Sequence, residues 1–294
     1  MIPKIITEEK IQEFKMYLYE EERSENTIKK YIRDIYIFKD YADGADLKKA
    51  DILCYKEELC SKYAPSSVNS ILSSLNAFFI FLNWHDLKVK TLKIQRKIFC
   101  DKKKELSKKE YERLLTASIE SKNYRLYYLL QTMASTGVRV SEIKYITCEA
   151  VMNGCALINC KGKIRQILLP QILCDMLKSF IKSQNIKSGA VFISKHGNPI
   201  DRSNIWKMLK AVCKRAHVSE EKVYPHSFRH LFARTFYSAR KDIVHLADIL
   251  GHSSINTTRI YTTESSESHM KQLQNLRHPV VVLFQHIWEL LLLH

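Results

Sequence analysis

The sequence predicts a mainly α-helical protein with a small β-sheet (α+β), built as a helical bundle followed by a mixed domain. Three observations predict it. Apolar residues recur at helical spacing from Thr7 to about Asn83. That pattern lapses between Gln95 and Leu106 into the charged run QRKIFCDKKKEL. Beyond Gly154, two short apolar segments, CALINC and IRQILLP, flank a basic turn as the strands of a hairpin do. At 294 residues, 46% of them hydrophobic, the chain is long enough for two ordinary domains and apolar enough to form a good core.

The elements follow in order. Thr7 is placed to cap the first helix. In TIKKYIRDIYIFKDYA, residues Ile28, Tyr31, Ile32, Ile35 and Phe38 share one helical face, while Lys29, Lys30, Arg33 and Lys39 lie elsewhere on the cylinder. Pro65 with Ser66 and Ser67 opens another helix, and SVNSILSSLNAFFIFLNW is apolar enough to be the central packing element. Residues 1–95 therefore read as a bundle of four or five helices, and 96–106 as a basic linker. Ser107 and Glu110 form a capping box, with Leu106 and Tyr111 spaced as a hydrophobic staple, so a second domain begins at 107 and runs to 278.

In that domain a helix through NYRLYYLLQTMAS stops at Gly137. CALINC and IRQILLP form the hairpin, joined by Lys161, Gly162 and Lys163, and AVFI is expected as a third short strand. Helices follow through SNIWKMLKAVCKRA, HSFRHLFARTFY and DIVHLADIL, with Leu231, Phe232, Leu246 and Ile249 expected in the core. Residues 279–294 form an apolar tail whose VVVLFQHIWELLLLH is broken by Gln285, His286 and Glu289, and is too short to span a bilayer.

Composition narrows the partner. Forty-seven Lys and Arg against thirty-one Asp and Glu leave a formal net charge of +16, which favours a polyanion, nucleic acid first. Eight cysteines contain no CxxC pair, so neither a zinc site nor a disulfide framework is indicated. The N-terminus lacks the apolar h-region of a secretory signal. A soluble cytoplasmic protein is expected, with no membrane partner.

Three separated segments carry the chemistry: STGVRVSEI around Arg139, PHSFRHLF around His226 and Arg229, and LGHSSINTTRIY with His252 and Tyr261. Each alone has a structural reading as a helix-end arginine, a surface neighbour pair or a packing tyrosine. Together they fit a phosphate. His226 and Arg229 lie three apart near the start of a helix opened by Pro225, so both project from one face near a helix end that attracts anions. A guanidinium holds two phosphate oxygens at once and keeps its charge at any working pH. Two of them can stabilise the charge that builds on a phosphodiester's non-bridging oxygens without a metal.

These boxes resemble those of the tyrosine recombinase family, the phage-integrase and Xer-like enzymes, and twenty-three residues from Arg229 to His252 and nine more to Tyr261 are the family's spacing. The helical part is similar to the family's core-binding domain. The resemblance implies that Tyr261 attacks a phosphodiester to give a 3'-phosphotyrosyl link, with no cofactor or metal. Arg139 and Arg229 would hold the phosphate, His226 would assist proton transfer and His252 would donate a hydrogen bond. It places the general acid at Lys161, with Lys163 on the same turn as the alternative. Glu142 is expected to fix the arginine turn, and His230 to be a packed or hydrogen-bonded histidine.

The implied partner is double-stranded DNA with inverted-repeat core sites, bound by a homo-tetramer of two synapsed dimers, which would make the cytoplasmic protein nucleoid-associated on DNA; an accessory directionality protein is open. No arm-binding domain is expected before the first helix. ESSESHMKQLQNL, or the apolar tail, is expected to reach a neighbouring protomer, and SSINTTRI to be the segment on which the nucleophile moves. The favoured role is integration or excision of a mobile element; dimer resolution of chromosomes or plasmids is the alternative. A type IB topoisomerase would share the chemistry, but the separate helical domain argues against it. A catalytically inactive DNA-binding regulator is disfavoured because all the expected positions are filled.

Overall fold

The structure, a computed structural model, describes residues 3–94, 105–160, 163–252 and 254–262. It divides into two compact units, Met1–Arg96 and Lys97–His294. Lys161, most of the 96–106 linker and the 279–294 tail lie outside the described residues, as does ESSESHMKQLQNL.

Within the described part of the first unit there are four α-helices: α1 (Glu8–Glu20), α2 (Glu25–Ala42), α3 (Lys49–Lys62) and α4 (Pro65–Phe81). Thr7 Oγ1 accepts from Lys10 N at 3.4 Å and Ser24 Oγ from Thr27 N at 3.3 Å, and Pro65 opens α4, where a missing N–H costs nothing. The apolar stripe of α2 is buried at Ile28, Ile35 and Phe38, facing Leu72, Leu75, Phe78 and Phe79 of α4 and Ile11 and Phe14 of α1 in one core. The carboxylate of Asp34 is buried with it, held by Lys30 at 2.8 Å, Arg33 at 3.1 Å and Ser74 Oγ at 2.9 Å. A buried charge needs such partners.

The second unit opens on the capping box: Ser107 Oγ accepts from Glu110 N at 3.2 Å, and Glu110 Oε2 accepts from Ser107 N at 2.8 Å. Leu106 is fully buried beside it. The elements that follow are α5 (Lys108–Glu120), α6 (Tyr124–Thr136), α7 (Cys148–Met152), β1 (Cys155–Cys160), β2 (Lys163–Leu168), α8 (Gln171–Ser183), α9 (Arg202–Ala216), α10 (Pro225–Arg240), α11 (Ile243–Leu250) and α12 (Ile255–Thr262). Leu129, Leu130 and Met133 of α6 and Phe228 of α10 lie in the main core, which the hairpin closes on one side.

β1 and β2 are antiparallel, with Ala156 opposite Ile167 and Ile158 opposite Arg165. Ala156, Ile158 and Ile167 are buried, whereas Leu157 and Leu168 on the other face are 66% and 64% exposed. Period-two alternation therefore points Arg165 inward. AVFI does not add a third strand. It makes only the isolated bridges Thr147–Ala190 and Ile193–Pro199, its backbone bonds being divided between Ile146 on one side and Ile200 on the other rather than running along one strand.

A smaller cluster of Ala233, Leu246, Leu250 and Tyr261 joins α10, α11 and α12. Leu250, rather than Ile249, is the buried residue at the end of α11, and Phe232 is only partly buried. Much of the segment expected to carry the nucleophile's motion is helical, as α12. Among the described residues no helix is long and apolar enough to cross a membrane.

Candidate active site

Gly137 ends α6 in the left-handed conformation (φ 61°), and a Cβ there would stand 2.6 Å from the Phe232 ring and 3.0 Å from Leu250. Only glycine combines that φ with that closeness. The turn it makes delivers Arg139 to the head of a 3₁₀ segment, Val140–Tyr145. There Glu142 does what was expected of it. Its carboxylate accepts from Arg139 N at 2.9 Å and from Arg139 Nη1 at 2.9 Å, fixing both backbone and side chain.

Arg229 stands on the first turns of α10 and is 1% exposed. Its Nη1 donates to Gly137 O at 2.5 Å and its Nη2 to Leu250 O at 2.6 Å, while Nε has no partner among the described residues. No carboxylate is paired with it among those residues. Burial, and next the charge of Arg139, push its pKa below the ordinary arginine value. Such a guanidinium stays charged and is left with unspent attraction for an anion.

The C-terminal end of α11 gathers the arginines. Arg165 Nη2 donates to Ile249 O at 3.2 Å, Arg229 to Leu250 O, and Arg139 Nη2 to Gly251 O at 3.3 Å. Carbonyls at a helix C-terminus carry partial negative charge and lack intrahelical donors, so cations suit them. Arg165 Nη1 also reaches both oxygens of Glu142, at 3.2 and 3.3 Å, making that carboxylate a bridge between two guanidiniums. Burial lowers the Arg165 pKa to about 10, against the pull of Glu142 and with the push of Arg229 and Arg139. Two guanidiniums thus share one carboxylate, while Arg229 is paired with none among the described residues.

His252 follows the helix end, its Nε2 2.9 Å from Arg229 Nη2 and its Nδ1 2.8 Å from Thr258 Oγ1. Burial and then the charges of Arg229, Arg139 and Arg165 lower its pKa to about 4, so it is neutral at neutral pH. Tyr261 on α12 is 3% exposed, with its hydroxyl 3.2 Å from His226 Nε2. His226 stands at the exposed rim, yet crowding of its ring, followed by the Arg229 and Arg139 charges, lowers its pKa. A neutral His226 presents a lone pair to accept from the phenol. His230 packs edge-on against Tyr261 at 4.6 Å and against His226 at 5.0 Å, with its pKa lowered to about 4, first by burial.

The structure therefore brings together Arg139, His226, Arg229, His252 and Tyr261. Lys161 lies outside the described residues, and Lys163 opens β2. Two members of the cluster escaped sequence reasoning, Arg165 and Thr258. Arg165 had a signal, because a charged residue at an inward position of an alternating strand must find buried partners. Thr258 precedes Tyr261 by three residues on a helix, a spacing that puts both on one face.

Residues 104–268 match the phage integrase family and residues 11–86 the phage integrase N-terminal SAM-like domain. The chain is 29% identical over 283 residues to tyrosine recombinase XerA of Pyrococcus furiosus, covering 92% of this chain and 95% of that protein. It is 30% identical over 278 residues to XerA of Thermococcus kodakarensis, covering 90% and 94%, and 28% identical over 284 residues to XerD of Listeria innocua, covering 87% and 93%. Among solved structures, an XerA recombinase superposes with a TM-score of 0.52 at 25% identity, over 93% of this chain and 99% of that one. A lambda integrase dimer bound to a COC' core site superposes with a TM-score of 0.72 at 16% identity over 87% and 94%, which is a likeness of fold. With matches across both of its units, the chain belongs to the phage integrase family and is a tyrosine recombinase.

Proposed function

We propose that the chain cuts and rejoins duplex DNA at specific sites, through a covalent link between Tyr261 and a DNA 3'-phosphate. The observation that carries this reading is the buried Tyr261 phenol, 3.2 Å from a neutral imidazole and beside guanidiniums that outnumber the carboxylates around them. His226 Nε2 takes the phenol proton as the oxygen attacks phosphorus. The P–O5' bond breaks, and the 5' oxygen takes a proton from Lys161 or, failing it, Lys163. Arg139 and Arg229 hold the non-bridging oxygens, and His252 donates to one of them. The phosphodiester is exchanged rather than hydrolysed, so the reverse attack by a 5'-hydroxyl rejoins the strand.

Duplex DNA is the proposed partner. A XerH recombinase bound to palindromic difH and the lambda integrase dimer at a core site share this fold, and the +16 charge suits a phosphate backbone. Inverted-repeat half-sites and a tetramer of two synapsed dimers complete the reading. In domain terms, residues 1–95 are the DNA clamp and 107–278 the catalytic part. The relatives named XerA and XerD favour a Xer-like role in resolving chromosome or plasmid dimers over the mobile-element role that the sequence had put first. None of the relatives named above speaks for the inactive regulator.

The test is covalent capture. A pool of nicked duplexes with randomised inverted repeats is incubated with wild type and with Tyr261→Phe. Wild type should yield a denaturation-resistant adduct on a defined sequence, and Tyr261→Phe none. Equal trapping by both, or none by wild type, overturns the mechanism. A captured site found in the host chromosome away from element ends supports the Xer-like role.

A further inference from the structure

Hydrogen-bond direction around His252 is determined by its neighbours. A guanidinium can only donate, so the His252 Nε2 that lies 2.9 Å from Arg229 Nη2 must accept. The one proton of the neutral ring then sits on Nδ1 and is donated to Thr258 Oγ1 at 2.8 Å. This is the opposite tautomer from the one that donates to a phosphate oxygen through Nε2. Thr258 is fully buried and lies on α12 three residues before Tyr261, whose ring stacks near that of His252 at 5.8 Å.

We infer that Thr258 is a positioning residue that holds His252 in either tautomer and ties that choice to the seating of the Tyr261 helix. The inference rests on the reading of Tyr261 as nucleophile and His252 as phosphate donor. A hydroxyl is the right group, because its oxygen accepts from Nδ1–H and its hydrogen, on a free rotor, can instead be donated to a bare Nδ1. When a phosphate oxygen takes the place of Arg229 as the partner of Nε2, Nδ1 gives its proton to water and Nε2 takes one from water. The ring stays neutral and Thr258 turns from acceptor to donor. No other side chain is in hydrogen-bonding distance of Nδ1 among the described residues. Because Thr258 and Tyr261 ride on one helix, lifting the nucleophile from the site also removes the partner of Nδ1, and His252 is competent only when the phenol is seated.

The experiment compares wild type, Thr258→Val and Thr258→Ser on the duplex obtained by covalent capture. Valine keeps the volume of a buried site without the hydroxyl, and serine restores the hydroxyl. Three quantities are read: single-turnover adduct formation at saturating protein, DNA affinity, and the ¹⁵N shifts of the His252 ring in the protein without DNA. Thr258→Val should form adduct about tenfold more slowly, the worth of one net hydrogen bond, with DNA affinity unchanged. Thr258→Ser should stay within about twofold of wild type. Without DNA the ring shifts should report Nδ1–H in all three, since Arg229 still donates to Nε2, with the Nδ1 shift of Thr258→Val displaced from the other two by the loss of its acceptor. An equally fast Thr258→Val, a Thr258→Ser as slow as Thr258→Val, or identical ring shifts in all three overturns the inference. If Thr258→Val does not fold, wild type alone decides, since an Nε2–H tautomer there overturns it. Absence of any wild-type adduct is a different failure, that of the recombinase reading, and leaves the ring measurement to judge Thr258.

Discussion

Arg165 and Arg139 share Glu142, and this sharing sets what each substitution does. Arg165→Gln leaves Glu142 with one guanidinium and removes the guanidinium donor to Ile249 O. In a site where the Arg165 side chain is only 12% exposed, the urea midpoint should fall by the equivalent of about 1–3 kcal/mol. A midpoint unchanged from wild type would show that the bridge contributes nothing to stability. The histidines give a pH signature. His230 and His252 have folded pKa values of about 4 against an ordinary 6.5, so between those limits the unfolded chain binds more protons. Stability is complete above pH 6.5 and is lost progressively as pH falls toward about 4, and the thermal midpoint should drop over that window. His230→Phe, which keeps a ring against Tyr261, should flatten the drop. At this scale the sequence was legible where a residue sat in a recognisable box: Arg139, His226, Arg229, His252 and Tyr261 all stand in one cluster. Arg165 and Thr258 were not read, because their importance comes from partners 23 and six residues away that only folding brings near.

Among the elements, the end of α11 is the most constrained. Gly251 caps the helix at φ 61°, and a Cβ there would lie 2.5 Å from Arg165 Cδ and 2.7 Å from its Nε. Gly251→Ala should therefore displace the Arg165 guanidinium and lower stability by about 1 kcal/mol from the backbone alone. Adduct formation should slow as well, and a variant as stable and fast as wild type would contradict this packing. At the start of α5, Ser107→Ala removes one half of a capping box and should cost about 1 kcal/mol, read as a lower urea midpoint. Helices were the most legible elements, since the α2 stripe and both caps follow from local spacing. The strands were less so. AVFI has a strand's composition, yet whether it joins a ladder depends on a neighbour that local pattern does not specify.

For the whole molecule the +16 charge makes the strongest prediction. Affinity for duplex DNA should fall linearly on logarithmic axes with salt, by about 10³-fold or more between 50 and 200 mM if six or more phosphates are contacted. A change of less than about tenfold would mean that few phosphates are neutralised. The lapse of helical periodicity before residue 107 lies beside the division between the two units at Arg96 and Lys97, whereas the seat of each candidate site residue was not readable. The oxygens that orient the three arginines at the end of α11 belong to the main chain of residues 249, 250 and 251. A side-chain acceptor disappears when its codon changes, but a peptide carbonyl survives nearly every substitution. The site is thus buffered against mutation at the positions that build its floor. Sequence around that floor can therefore vary without moving these oxygens, provided that the arginines, Glu142 and the glycine that lets them approach are kept.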